Sequence, residues 1–426
     1  MNQKFVKIKK VKGTLSLPGD KSISHRSVML AALAEGKSKI INCLESDDIN
    51  STINIFRQLG IRITRDRNEI IVHGKGFQGL LPPTQPLDAG NSGTTARLIS
   101  GILAGQKFPS TIVGDESLSQ RPMKRVIDPL KEFGALISCS PNGTLPINIL
   151  SSRKLKAANY KLRVASAQVK SALIFAALHC EENSVITETE ITRNHTENML
   201  GLKVEENKNS RKIFVSKADY PKASEYFVPS DISTASYFIV LALLLKDSFL
   251  KIENVSLNPT RIGLIELLKK MGGKIQVENE QVSNGEKYGT IAIWSSELKN
   301  IEVPKEIIPN IIDEIPILSI AGIFAEGNFS IRNAGELRVK ESDRIEAVCN
   351  NLKAAGLSVK EFKDGFEFSG DIKNRNVTFK SFGDHRIALS FGILSSVIGG
   401  KNSVDGFEAV SISNPKFIEQ LKSISV

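Results

Sequence analysis

The residues of this chain best suited to chemistry fall in five short segments, four of them basic. They are Gly19-Asp20-Lys21-Ser22-Ile23-Ser24-His25-Arg26, Asn91-Ser92-Gly93-Thr94, Arg121-Pro122-Met123-Lys124, Arg338-Val339-Lys340-Glu341-Ser342-Asp343-Arg344 and Gly383-Asp384-His385-Arg386. Most combine Arg or Lys with Gly or a hydroxyl residue, and most abut an apolar run with helical spacing. Charged donors then stand beside the backbone N–H groups that a helix start leaves without partners, which is chemistry for holding phosphates and carboxylates. Lys21 has the Ser22 hydroxyl beside it and Arg26 about a turn further on. The Gly-x-x-x-x-Gly-Lys-Ser/Thr phosphate loop is absent. Gly93 lets a ligand approach the backbone closely, and Arg121 offers a planar fork for bidentate contact with an anion.

Further candidates lie outside these five. Ser166-Ala167-Gln168-Val169-Lys170 offers a hydroxyl, an amide and an ammonium ahead of the apolar run 172–178, suited to phosphate and sugar-like hydroxyls or to capping a helix. Asp313 sits in Ile311-Ile312-Asp313-Glu314-Ile315-Pro316-Ile317. A carboxylate among isoleucines is costly unless paired, and desolvation would raise its pKa toward that of a general base; the alternative is an N-cap for the next helix. Lys340 and Arg344 share one face if their segment is helical, with Glu341 in reach of Arg344. His385 reads as oriented by Asp384 rather than catalytic, and Arg193-Asn194-His195-Thr196-Glu197 as either ligand-facing or a helix start.

Lys plus Arg number 56 against 46 Asp plus Glu, a net charge of +10. That charge is dispersed and aromatics are only 6%, which favours small anionic substrates over nucleic acid. Cys43, Cys139, Cys180 and Cys349 lie far apart, without the pairing of a zinc site or a disulfide framework. Residues 1–10 lack the apolar core of a secretion signal. The longest apolar run, 237–245, is far below the roughly 20 residues that span a bilayer. A soluble, cytoplasmic chain with no membrane partner is expected.

Positioning these segments requires a repeated framework. A small-residue helix, a turn, a β-branched strand such as Lys39-Ile40-Ile41 or Thr111-Ile112-Val113, and a second helix recur in order. Copies close at Gly60, Gly134, Gly201, Gly272 and Gly356, with a last copy around Ile398-Gly399-Gly400 running to the C-terminus. A spacing of roughly 70 to 85 residues suits a repeated α/β unit rather than a solenoid. Six units result, three on each side of the polar stretch Ala218 to Ser230, the candidate hinge, with the anion pocket expected between the halves.

Together, Pro18-Gly19-Asp20-Lys21-Ser22 with Ser24-His25-Arg26, Gly90-Asn91-Ser92-Gly93-Thr94, Arg121-Pro122-Met123, Ser166-Ala167-Gln168, the run Arg338 to Arg344, and Asp384-His385-Arg386 strongly resemble the 5-enolpyruvylshikimate-3-phosphate synthase family, in that family's order over nearly the whole chain. Gly19-Asp20-Lys21, Ser166 to Lys170, Arg193 to Glu197 and Asn258-Pro259-Thr260-Arg261 look like its second bacterial class. The resemblance implies an α/β fold of two similar domains, each of three βαβαββ repeats, with the active site in the interdomain cleft. It places the domains at 18–228 and at 1–17 plus 229–426, with crossings near 17–21 and 227–231.

The implied reaction transfers the enolpyruvyl group of phosphoenolpyruvate to the 5-hydroxyl of shikimate 3-phosphate and releases phosphate. By the same resemblance Lys21, Ser22, Arg26, Ser166, Gln168, Asp313 and Lys340 hold shikimate 3-phosphate, while Lys21, Gly93, Arg121, Gln168, Arg344 and Arg386 hold phosphoenolpyruvate. Asp313 is the implied base, Glu341 the acid and Lys21 the charge stabiliser, in a monomer that needs no metal or cofactor. Some members carry a Lys shortly before the C-terminal Pro, where this chain reads Ser411-Ile412-Ser413-Asn414-Pro415-Lys416. The sister enzyme acting on UDP-N-acetylglucosamine typically has a loop Cys where this chain has Gly114-Asp115-Glu116-Ser117-Leu118-Ser119-Gln120, so that alternative is disfavoured.

Overall fold

The glycines that punctuate the sequence mark helix ends. Gly60, Gly134, Gly201, Gly272 and Gly356 all have φ between 64° and 102°. They follow the helices Asp47–Gln58, Lys124–Glu132, His195–Leu200, Gly263–Lys270 and Arg344–Ala354. A left-handed residue there ends a helix at little steric cost only when it lacks a Cβ. In the last copy Gly399 instead ends the first helix, His385–Ile398, and the second helix, Phe417–Ile424, runs to the C-terminal end without a closing glycine.

The computed structural model describes residues 1–66, 69–151, 154–207 and 210–426. Their strands form six small sheets, and the full repeat pattern is clearest in one of them. Asn159–Lys161 runs parallel to Ser184–Glu188, which pairs antiparallel with Ser210–Val215, itself antiparallel to Val204–Asn207. A helix lies between the first two strands and another between the second and third, giving βαβαββ. Two of the six sheets have only three strands. In one, a single parallel bridge between Lys299 and Glu326 stands near where other repeats have a first strand.

The first helix of each repeat is apolar on nearly every side, so only a position surrounded by other elements suits it. These six are α1 (Lys21–Leu33), α2 (Gly93–Ala104), α3 (Ala167–Ala177), α4 (Ile232–Leu244), α5 (Ile315–Phe324) and α6 (His385–Ile398). Polar side chains cap five of their N-termini: Asp20, Ser92, Ser166, Asp231 and Asp384 accept backbone N–H bonds of 2.9, 3.1, 3.4, 2.7 and 2.8 Å. The motifs read from the sequence are largely these capped helix starts. Asp313 is not a cap, since Glu314 holds the N-cap position of α5 and Pro316 lies in the first turn.

The chain divides into two compact units. The first comprises Gly19–Pro229 with Val282–Glu286, and contains α1, α2 and α3. The second comprises Met1–Pro18, Ser230–Gln281 and Lys287–Val426, and contains α4, α5 and α6. Each has its own apolar core. The polar stretch Ala218 to Ser230 is not simply a connection: Glu225–Phe227 is a strand, parallel to Glu35–Ile41 in the first unit. No single helix among the described residues is long and apolar enough to cross a membrane.

Candidate active site

In the first unit the predicted residues gather at the starts of α1, α2 and α3. Lys21 opens α1 and forms an ion pair with Asp48, from the first turn of the helix Asp47–Gln58. Arg26, one turn further, is 2% exposed. Its Nε donates to Thr196 Oγ1 at 2.7 Å, one terminal nitrogen to the Ser22 carbonyl at 2.9 Å and the other to Ser171 Oγ at 2.8 Å. Burial pushes the Arg26 pKa down to about 10, since the more distant Glu197, Asp20 and Glu286 offset desolvation only in part.

Gly93 begins α2 beside two guanidinium groups. Arg121 donates to the Asn91 carbonyl at 3.3 Å, Asn91 Oδ1 at 2.7 Å and Ser117 Oγ at 3.2 Å. Arg97, four residues after Gly93, donates to Gln168 Oε1 at 2.5 Å and to the Pro122 carbonyl at 3.2 Å. Gln168 Nε2 returns a bond to Thr94 Oγ1 at 3.0 Å, tying the start of α3 to the start of α2. Ser166 spends its oxygen on capping α3. Lys170 is buried with Glu188 at 2.9 Å and Glu197 at 2.8 Å, so it belongs to an internal ion network. Arg193 to Glu197 resolves similarly: Thr196 braces Arg26, His195 Nδ1 lies 3.0 Å from Glu286, and Glu197 pairs with Lys170.

The second unit gathers a different set around Arg344. Its Nε donates to Asp384 Oδ2 at 2.7 Å, one terminal nitrogen to Asp313 Oδ1 at 3.0 Å and the other to Glu341 Oε2 at 2.5 Å. Desolvation alone would lower the Arg344 pKa, but Asp384, Glu341 and Asp313 outweigh it and raise it. Arg386 lies 3.7 Å from Asp313 Oδ2, donates to the Asp313 carbonyl at 3.2 Å and lies 3.7 Å from Glu314. Its pKa too is raised, with Asp313 the largest of the charges that overcome burial. Lys340 Nζ is 3.9 Å from Asp313 Oδ1.

Three cations therefore face Asp313, and the surroundings expected from its isoleucine-rich run are only half the picture. The apolar neighbours pack into the core while the carboxylate meets Arg344, Arg386 and Lys340. Lys340 and Arg344 do not share a helical face, because Lys340 precedes the helix that Arg344 begins and Asp343 caps. Asp384 serves Arg344, the Ser342 hydroxyl at 3.2 Å and the Arg386 backbone N–H.

The family model described as EPSP synthase (3-phosphoshikimate 1-carboxyvinyltransferase) matches residues 5–421. The chain belongs to the EPSP synthase family. It is 46% identical over 429 residues to the 3-phosphoshikimate 1-carboxyvinyltransferase of Caldicellulosiruptor saccharolyticus, covering 99% of this chain and 98% of that one. The enzyme of the same name from Salinibacter ruber is 44% identical over 420 residues, 98% of this chain and 97% of its own. An EPSP synthase from Acinetobacter baumannii superposes with a TM-score of 0.89 at 40% identity, over 100% of this chain and 98% of that structure. The enolpyruvyl transferase NikO from Streptomyces tendae, at 15% identity and a TM-score of 0.75 over 99% and 97% of the two chains, shares the fold.

Within this EPSP synthase fold, Asp48, Arg97 and Glu314 are among the buried charges that the motifs do not single out. Asp48 resembles an ordinary acidic residue in a first helical turn. Arg97 carried a usable signal, as a lone charge in an apolar helix four residues from Gly93. Glu314 is 1% exposed, bonds the Ser233 hydroxyl and lies 3.6 Å from Arg261.

Proposed function

We propose that this chain transfers the enolpyruvyl group of phosphoenolpyruvate to the 5-hydroxyl of shikimate 3-phosphate and releases phosphate. The observation that carries this reading is the Arg344 guanidinium, which holds Asp313 and Glu341 on adjacent nitrogens. A base and an acid fixed by one buried cation suit a reaction that removes one proton and delivers another in the same step. Full-length likeness to enzymes named for that transfer supports it.

Asp313 takes the hydroxyl proton as the oxygen bonds to C2 of phosphoenolpyruvate, and Glu341 gives a proton to the C3 methylene. The resulting tetrahedral adduct then returns a proton from C3 to Glu341, the bond from C2 to the phosphate oxygen breaks, and the double bond is restored as phosphate leaves with the proton held by Asp313. Lys21 stabilises charge on the adduct. From the first unit, Lys21, Ser22, Arg26, Ser166 and Gln168 are assigned to shikimate 3-phosphate, and Lys21, Gly93, Arg121 and Gln168 to phosphoenolpyruvate. From the second, Asp313 and Lys340 serve shikimate 3-phosphate, and Arg344 and Arg386 serve phosphoenolpyruvate. The phosphoenolpyruvate carboxylate competes with the protein's own acids for those two guanidinium groups.

The enzyme acts as a cytoplasmic monomer without metal or organic cofactor, since phosphate is itself the leaving group and the cations carry the electrostatic work. Inorganic phosphate release is the test. It should appear with both substrates present and vanish when either is omitted; release from phosphoenolpyruvate alone, or none with both, overturns the assignment.

A further inference from the structure

We propose that His25 is a positioning residue for the Gly93 turn, acting as a neutral imidazole that donates from Nδ1 into a one-way chain of hydroxyls ending at Ser92. The proposal concerns the phosphoenolpyruvate side of the transfer proposed above and rests on that reading for its kinetic test, but its structural core stands apart.

The geometry is a pair of rungs between two helices. Lys21 and His25 lie four residues apart on α1, and Asp48 and Thr52 lie four apart on the helix Asp47–Gln58, so each pair shares a face. Lys21 pairs with Asp48, and His25 Nδ1 lies 2.7 Å from Thr52 Oγ1. Thr52 Oγ1 is in turn 2.7 Å from Thr95 Oγ1, and Thr95 Oγ1 donates to Ser92 Oγ at 2.8 Å. Ser92 also accepts the Thr95 backbone N–H, as the cap of α2. The helix that fixes Lys21 through Asp48 thus also fixes, through Thr52, the turn that carries Gly93.

Proton counting gives the chain its direction. Each hydroxyl has one proton to donate. Thr95 spends its proton on Ser92, so the bond between the two threonines must use the proton of Thr52. Thr52 then has none for His25, and only an N–H at Nδ1 completes the remaining contact. The competing acceptor for Thr52, the Asp48 carbonyl, is 3.4 Å away and would leave the threonine pair without a proton between them. His25 is fully buried, and burial pushes its pKa down to about 3, which agrees with a neutral ring. Its Nε2 is then an acceptor, and among the described residues it has no hydrogen-bond partner. Neither Lys21 nor Gly93 touches this ring through any of these bonds; His25 acts through Thr52 and Thr95.

Two measurements test this. Long-range ¹H–¹⁵N correlation on the intact, ligand-free chain should show His25 with its proton on Nδ1; a proton on Nε2 overturns the proposal whatever the reaction turns out to be. In kinetics, His25→Leu removes the donor and should raise the KM for phosphoenolpyruvate about five- to tenfold, as expected for one lost hydrogen bond, with a smaller change for shikimate 3-phosphate. His25→Asn keeps a donor near the Nδ1 position and should return that KM to within about threefold of the starting chain, whereas His25→Gln, whose donor lies further out, should not. Equal KM values for the Asn and Leu variants, or a matching rise for both substrates, overturn it. Absence of phosphate release by the unsubstituted chain rejects the transfer reaction itself and leaves the tautomer measurement to decide His25.

Discussion

The arginines at the candidate site keep different company in the two units. Arg26, Arg97 and Arg121 in the first are met at hydrogen-bond distance by hydroxyls, carbonyls and amide oxygens. Arg344 in the second is met by three carboxylates, and Arg386 stands within 3.7 Å of two. The pKa directions record the contrast: Arg26 falls to about 10 because burial dominates, while Arg344 and Arg386 rise because the acids overcome burial. Neutral partners orient a guanidinium without cancelling its charge, which leaves that charge for an arriving anion. Acidic partners cancel it, and the useful product is instead a set of carboxylates held in place. These three guanidinium groups of the first unit thus keep charge to offer an anion, whereas in the second unit the cations hold Asp313, Glu341 and Asp384 in place.

The sharpest break in that contrast lies at Asp313. Asp313→Asn keeps the shape and removes the base, so kcat should fall by about 10²- to 10⁴-fold, with shikimate 3-phosphate affinity kept within an order of magnitude. Near-normal phosphate release in a stopped assay would place the base elsewhere. Arg121→Ala should do the reverse. Removing one charge-assisted contact is expected to raise the KM for phosphoenolpyruvate about 10- to 100-fold, with a much smaller loss of kcat. A fall in kcat alone, with KM unchanged, would erase the division of labour between the units.

A finer probe is Gly93→Ala. A methyl there would stand 3.0 Å from an Arg97 terminal nitrogen and 3.6 Å from one of Arg121. The backbone at Gly93 is ordinary helix rather than left-handed, so Ala is tolerated by the chain and its effect falls on the two guanidinium groups. Thermal unfolding should move little, while the KM for phosphoenolpyruvate rises by about tenfold, the lower end of what one methyl does in a ligand pocket. Coupling is checked by Arg97→Ala on the Gly93→Ala background, where the second substitution should cost less than it does alone.

These same residues show what sequence makes legible. Helix starts with Asp, Ser or Gly beside Lys and Arg are local patterns, so the motifs at Lys21, Gly93, Ser166 and Arg386 could be read from neighbouring residues, as could the closing glycines from their positive-φ role. Pairings across long separations could not. Asp48 meets Lys21 because two helices pack, and Thr196 meets Arg26 across 170 positions. Lys170 reads as a ligand-facing ammonium because nothing local announces that Glu188 and Glu197 fold around it. Asp313 reads as a carboxylate among isoleucines, since the three cations around it come from the region 340–386.

The smallest effect concerns pH. His25 and His179 of the first unit are both buried, and desolvation pushes both pKa values down to about 3, with the Ile102 carbonyl 3.1 Å from His179 Nε2 offsetting that only in part. In the unfolded chain each takes up a proton near pH 6.5. Between about pH 6.5 and 3 the unfolded state therefore binds more protons than the folded state, and stability falls as pH falls. Each fully differing proton contributes about 1.4 kcal/mol per pH unit. Urea midpoints at pH 7, 6 and 5 should decline progressively, with neither ring titrating by NMR in the folded chain over that range. His25→Asn removes one of the two sites and should flatten the decline without abolishing it. If the decline is unaltered by that substitution, carboxylates rather than these imidazoles govern the acid limb, and the charge logic of the first unit extends only to its arginines.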